Sequence, residues 1–193
     1  NRIFVAALKE ETPGLNFFYH TGAGKINATY NLTKLIITHK PKEVINFGTA
    51  GAISKNLEGI IECTKFYQRD MDVSALMDFK IGETPFDDIN EIILSSDGFS
   101  CGTGDSFVTG PIPIKVDVVD MEAYALAKIC KLEKIKFKCF KFIQLNVFKC
   151  EIEYDREWIL FFSTTALYLT PASNEIYIIS LLFHICLLFF CLL

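Results

Sequence analysis

Two carboxylate side chains follow apolar runs of the sequence, near the points where buried strands would end. Glu11 comes shortly after the run 3–8, and Glu122 comes shortly after the run 116–119. A carboxylate that faces a crevice can accept hydrogen bonds from two hydroxyls of a sugar, or it can act as a base on water. The alternative reason for acidic residues at such positions is a helix N-terminus, where the helix dipole favours negative charge.

Two short segments of small residues lie at comparable positions. Segment 21–24 reads Thr-Gly-Ala-Gly, and segment 48–51, directly after the apolar run 44–47, reads Gly-Thr-Ala-Gly. Turns of this composition let backbone N–H groups approach an anion or a sugar hydroxyl. A tight connection between a strand and a helix requires the same residue types, so the two segments alone do not define a site.

The periodicity of the apolar residues predicts the elements that position these side chains. Helical spacing follows Gly24 as far as His39, and it begins again after Met121. Apolar runs with the length of buried strands occupy residues 3–8, 44–47, 116–119 and 137–143. The alternation of strand, helix and strand predicts a mostly parallel α/β sheet with helices on both faces, which binds ligands at the carboxyl ends of its strands.

The overall composition narrows the class of protein. A chain of 193 residues that is 51% hydrophobic and 22% charged fits one globular domain. Its 19 Lys and Arg are outnumbered by 23 Asp and Glu, which argues against a nucleic-acid partner. The seven cysteines form no CxxC pair and no signal peptide precedes them. We therefore expect reduced thiols in the cytoplasm, with no metal and no cofactor.

The composition changes near residue 143, and the last part of the chain does not continue the α/β pattern. Residues 144–193 are rich in Phe, Leu and Ile, and the final run 176–193 contains no charged residue. As a helix this run would be about 27 Å long, the lower limit for crossing a bilayer. Glu175 in front of it and His184 within it count against a membrane anchor, which stays a minority interpretation.

Six short segments of the first three quarters of the chain form an ordered set of motifs, at residues 7–11, 20–28, 47–51, 68–73, 104–108 and 119–123. In these segments and in their order, residues 1–143 resemble the 5'-methylthioadenosine/S-adenosylhomocysteine nucleosidases of the nucleoside phosphorylase superfamily. The resemblance implies one α/β domain with a central mixed, mostly parallel sheet flanked by helices, and a homodimer whose partner completes the pocket. It also implies hydrolysis of the N-glycosidic bond of an adenine nucleoside, as in methionine salvage and nucleoside catabolism.

The resemblance also implies roles for individual residues. Glu11 resembles the carboxylate that activates water, and Glu122 resembles the one that binds the ribose 2'- and 3'-hydroxyls. Met121 is expected to line the sugar, and Thr49 to belong to the same substrate-binding group. Both glutamates are thus expected to be catalytic, Glu122 by holding and polarising the ribose.

Two further residues resemble the purine-binding part of the family's site. Phe107 matches the aromatic residue that stacks on adenine, and Val108 matches the residue whose backbone groups read the edge of the purine. With 18 Phe in the chain, core packing is the alternative role for Phe107.

The sequence departs from the family at residue 144. Where the family has a Ser-Asp pair, whose aspartate protonates the departing purine, this chain has Gln144 and Leu145. Leucine cannot donate a proton, and the helix that follows in the family is not recognisable in residues 144–193. The change resembles a reading-frame change, a retained intron or a degraded gene. Asp155 would substitute only if the tail folded back.

Three functional hypotheses remain open at this point. The first is a nucleosidase whose activity is reduced, and its preferred 5'-substituent is not determined. The second is a purine nucleoside phosphorylase of the same superfamily, against which Glu11 argues because a carboxylate repels phosphate. The third is a non-catalytic remnant, either a purine-binding protein or a tail-anchored membrane protein.

Overall fold

The computed structural model describes residues 1–54, 56–76 and 78–146, including eight strands and two α-helices. The predictions that concern the side chains of Gln144 and Leu145, and those that concern residues 147–193, lie outside the described residues. No helix of the described part is both long and apolar enough for a membrane crossing. The elements are β1 (Arg2–Ala6), β2 (Phe18–His20), α1 (Lys25–His39), β3 (Glu43–Ala52), β4 (Gly59–Gln68), β5 (Glu91–Ile93), β6 (Phe99–Thr103), β7 (Val118–Asp120), α2 (Ala123–Leu132) and β8 (Lys136–Asn146).

The strands form one mixed sheet that closes on itself. Its order is β2-β1-β3-β7-β6-β4-β5, and β8 pairs with both β3 and β4. Five of the eight strand pairings in the described part are parallel, which confirms the predicted mixed and mostly parallel sheet. Strands β3, β7, β6, β4 and β8 therefore form a ring like that of a small barrel, a closure that the sequence pattern does not predict.

Strand β3 is longer than its apolar run, and this corrects one prediction. Segment 48–51 is not a turn after the strand but part of it, because β3 continues to Ala52. The reason is β8, which pairs with β3 along its whole length, from Glu43 opposite Lys136 to Ala52 opposite Asn146. A bulge interrupts the register between Ala50 and Gly51.

Both predicted helices are present. Helix α1 begins after Gly24 and ends at His39, where Lys40 takes the left-handed conformation with φ 45°. Helix α2 buries the predicted stripe of small and apolar side chains, Ala123, Leu126, Ala127 and Cys130. The two helices pack against each other.

Candidate active site

Glu11 is held in one orientation by four hydrogen bonds. It ends a short 3-10 helix that follows β1, and its Oε2 accepts from the backbone N–H groups of Ala7 at 2.8 Å and Leu8 at 3.0 Å. Its Oε1 accepts from Thr49, at 3.0 Å from the backbone N–H and at 3.1 Å from the hydroxyl. The carboxylate thus joins the carboxyl end of β1 to the middle of β3, and it brings Glu11 and Thr49 together.

Gly48 allows two charged groups to approach β3 at the same point. A Cβ atom at this position would lie 3.1 Å from Oε1 of Glu11 and 3.3 Å from Nζ of Lys141. Any larger residue would push at least one of these groups away. The carboxylate of Glu11 and the ammonium of Lys141 therefore meet over a backbone position at which a Cβ atom would be tightly packed.

Lys141 forms a buried ion pair with Asp120. Its Nζ lies 2.7 Å from Oδ2 of Asp120, and the two side chains are only 2% and 1% exposed. Asp120 also accepts hydrogen bonds from the hydroxyl of Thr103 and from the backbone N–H of Ala123. Burial acts to raise the pKa of Asp120, but the charge of Lys141 and these hydrogen bonds outweigh burial and lower it. Burial acts to lower the pKa of Lys141, and Asp120 holds that pKa well above its usual value.

Glu122 lies beside this pair and has an unusual protonation equilibrium. Its Oε1 accepts from the backbone N–H of Gly24 at 2.8 Å, and the residue is 8% exposed. Burial, assisted by the negative charges of Asp120 and Glu11, raises the pKa of Glu122 to about 7. At neutral pH the carboxyl group is therefore divided between its charged and neutral forms. Both forms can bind hydroxyl groups, but only the charged form accepts hydrogen bonds equally at both oxygens, because in the neutral form one oxygen carries the proton and donates.

The predicted purine-binding residues lie on the segment after β6. Phe107 is 78% exposed, which makes the core-packing alternative wrong, and Val108 is half-buried. Met121 is half-buried in the turn between β7 and α2, directly between Asp120 and Glu122. The structure thus presents the ring of Phe107 to solvent, outside the hydrogen-bonded cluster of carboxylates.

Three residues with contacts in this region, Lys141, Arg69 and Asp70, were not predicted from the sequence. Lys141 is one of two lysines in the apolar run 137–143, and it alternates with the buried Phe137 and Cys139, whereas Lys138 is exposed. A buried lysine needs a carboxylate partner, and the alternation is the signal that was available. Arg69 and Asp70 lie in the motif 68–73 but received no role. Within the described residues, no group of three His, Cys, Asp or Glu side chains is arranged to hold a metal ion.

Comparisons with known proteins identify relatives of this chain. No family model matches the chain. It is 30% identical over 157 residues to the 5'-methylthioadenosine/S-adenosylhomocysteine nucleosidase of Haemophilus ducreyi, covering 67% of each chain. It is 29% identical over 144 residues to the nucleosidase of the same name from Bacillus subtilis, and it spans 62% of that relative's length.

Two solved structures share the fold of the described residues. The native futalosine hydrolase of Helicobacter pylori superposes with a TM-score of 0.67 at 19% identity, covering 76% of this chain and 84% of that one. A 5'-methylthioadenosine/S-adenosyl homocysteine nucleosidase from the same organism superposes with a TM-score of 0.63 at 18% identity, covering 76% and 85%. At these identities the likeness shows a shared α/β fold.

Proposed function

The chain belongs to the 5'-methylthioadenosine/S-adenosylhomocysteine nucleosidase family, and from this premise we propose that it binds adenine nucleosides of that type and hydrolyses their N-glycosidic bond. The products would be free adenine and a thioribose. The single observation that carries the proposal is the convergence of Glu11, Thr49 and Glu122 around the buried Asp120–Lys141 pair.

Cleavage of an N-glycosidic bond sets three chemical requirements. The transition state places positive charge on the ribose and negative charge on the departing purine. An enzyme therefore needs a base that activates water, acceptors that hold the ribose hydroxyls, and an acid that protonates the purine. Residues of this chain are available for the first two requirements.

Glu11 suits the role of the base. Four hydrogen bonds fix its carboxylate, and fixed orientation is what makes a general base effective. The ammonium of Lys141, which faces the same side of Gly48 as Glu11, would help to orient the attacking water. Thr49 would keep the base in position through its hydroxyl and its backbone N–H.

Glu122 suits the role of the ribose acceptor. The described residues give its Oε1 one partner, the N–H of Gly24, and Oε2 would accept from the ribose. Met121 precedes it in the turn and would line the sugar. A ring as exposed as that of Phe107 is available to stack on adenine, with the backbone of Val108 at the purine edge. The homodimer typical of the family belongs to this proposal, because a second copy would cover the open side of Phe107.

Phosphorolysis is the less favoured chemistry. A phosphate ion is best bound by backbone N–H groups at a helix N-terminus or a glycine turn. Here Glu122 occupies the N–H of Gly24, Asp105 occupies that of Lys25 at 2.8 Å, and Glu11 occupies that of Thr49. Three carboxylates at these donors would repel phosphate, whereas a neutral water molecule would be accepted.

Replacement of Glu122 tests the proposal directly. In isothermal titration, the 193-residue chain is expected to bind methylthioadenosine, and Glu122→Ala is expected to weaken binding about 10- to 100-fold because charge-assisted hydrogen bonds are lost. The matched control is Glu133→Ala, which removes an exposed glutamate from the opposite end of α2. Undiminished binding by Glu122→Ala would remove this residue from the site.

The pKa of Glu122 predicts how binding depends on pH. Because burial raises that pKa to about 7, the carboxyl group is mostly protonated at pH 6 and mostly ionised at pH 8. The affinity for methylthioadenosine should therefore rise with pH through neutrality, as the second acceptor site becomes available. Glu122→Gln should bind more weakly and lose this pH dependence, which titrations at several pH values would measure. An equal pH dependence in both proteins would assign the titration to another group.

A further inference from the structure

The segment that carries Phe107 and Val108 begins with a loop, Gly104 to Ser106, that is fastened to the end of β4. Arg69 donates from Nη2 to the backbone carbonyls of Gly104, at 3.2 Å, and of Ser106. Its Nη1 donates to the hydroxyl of Ser106 at 3.3 Å. One guanidinium group thus holds both ends of this loop.

The neighbouring residue completes the attachment. Asp70 accepts from the backbone N–H of Asp105 at 2.8 Å, so the two residues directly after β4 bind three consecutive loop residues. Gly104 makes this possible, since a Cβ atom there would lie 2.8 Å from Cζ of Arg69. The guanidinium therefore lies against the loop backbone itself.

The surroundings of Arg69 are unfavourable for a residue kept only for stability. It is 8% exposed, its Nε has no hydrogen-bond partner, and no carboxylate of the described residues lies within ion-pair distance. A buried charge with an unsatisfied N–H is costly. Its hydrogen bonds position two loop carbonyls. The planar guanidinium of arginine is suited to this geometry, and the ammonium of lysine is not.

From these contacts we infer that Arg69 is a positioning residue for the purine. It touches no reacting atom, but it fixes the loop from which Phe107 and Val108 extend. Stacking and main-chain recognition of a flat base tolerate displacements of only about 0.5 Å. Loss of Arg69 should therefore weaken binding of the purine and leave binding of the ribose, through Glu122, unaffected. This inference rests on the proposed function.

Two fragments of the nucleoside separate the two effects in titrations with the 193-residue chain. Adenine reports on the loop, and methylthioribose reports on Glu122. Arg69→Gln is expected to weaken adenine binding about tenfold and to leave methylthioribose binding unchanged. Arg69→Lys is expected to give the same result, because one ammonium cannot hold both carbonyls. Glu122→Ala should show the reverse pattern.

A smaller change keeps the test valid if substitution of Arg69 prevents folding, as judged by thermal unfolding. Ser106→Ala removes only the Nη1 contact from an exposed residue and should weaken adenine binding about threefold. Its control is Thr109→Ala, an exposed hydroxyl on the same segment. Unchanged adenine binding, or equal weakening of both fragments, would overturn the role of Arg69. If the unaltered chain bound neither fragment, the proposed function itself would fail.

Discussion

Restoring an aspartate at position 145 within a family-like C-terminus is expected to accelerate adenine release about 10²- to 10⁴-fold. The reason is that no side chain at position 145 of the natural sequence can protonate the purine, so adenine would depart as an anion or take a proton from solvent. The variant carries Gln144→Ser and Leu145→Asp, followed by the C-terminal sequence of the Bacillus subtilis relative. The added helix is needed because a loosely held acid donates poorly.

A matched pair of proteins isolates the contribution of the acid. One has the transplanted C-terminus with Asp at position 145, and the other has the same C-terminus with Leu145 retained. Release of adenine from methylthioadenosine, followed by chromatography, should be fast only in the first. Equal turnover by the 193-residue chain and both hybrids would show that Leu145 marks no missing acid, and that another group, such as Asp155, transfers the proton.

Removing the buried ammonium of Lys141 should cost about 3–5 kcal/mol of unfolding free energy. In Lys141→Met the carboxylate of Asp120, whose side chain is 1% exposed, is left without its counterion. Asp120→Asn in the same protein removes the orphaned charge and should recover part of the loss. Chemical denaturation of the single and double variants measures both quantities, and a loss of less than about 1 kcal/mol in Lys141→Met would contradict the account.

The same pair predicts a pH dependence of the difference. In the unaltered chain Lys141 lowers the pKa of Asp120, so the pair stabilises the fold at neutral pH, and this stabilisation declines as falling pH protonates the carboxylate. In Lys141→Met the unpaired, buried carboxyl group has a raised pKa, and acid relieves its penalty. The stability difference between the two proteins should therefore shrink as the pH falls from 7 toward about 4. If the difference in unfolding free energy stayed constant over this pH range, the loss in Lys141→Met would not be electrostatic in origin.

The two helices and the most apolar strands of this fold could be predicted from the sequence, whereas the closure of the sheet could not. The helices after Gly24 and Met121 have apolar residues at helical spacing, so the existence and the start of both could be predicted, and for the first helix also its end at His39. Strand β4 alternates exposed and buried positions irregularly and contains Glu62 and Lys65, while β6 consists largely of small residues. Neither has a strong period-two pattern. That β8 pairs with two strands depends on long-range geometry, which no local pattern encodes.

The same division applies to the candidate site. Glu11, Thr49 and Glu122 could be selected because they lie in motifs of a known family, and the structure brings them close together. Lys141 was missed because the apolar run 137–143 predicts a strand even with two lysines in it, and residue type alone does not tell the buried lysine from the exposed one. Arg69 was missed because its contacts are to backbone carbonyls of a loop, and carbonyls leave no trace in the residue types of a sequence.

Strand β8 completes the ring, and its late position among the described elements bears on how this part of the chain folds. Because β8 is the last described element, β3 and β4 have open edges until it is synthesised and docked. Its partners lie far earlier in the chain, with Glu43 opposite Lys136, and contacts of such long range form slowly. An unpaired strand edge is a template for association with other chains. Until β8 docks, the open edges of β3 and β4 therefore add to the risk that the newly made protein aggregates.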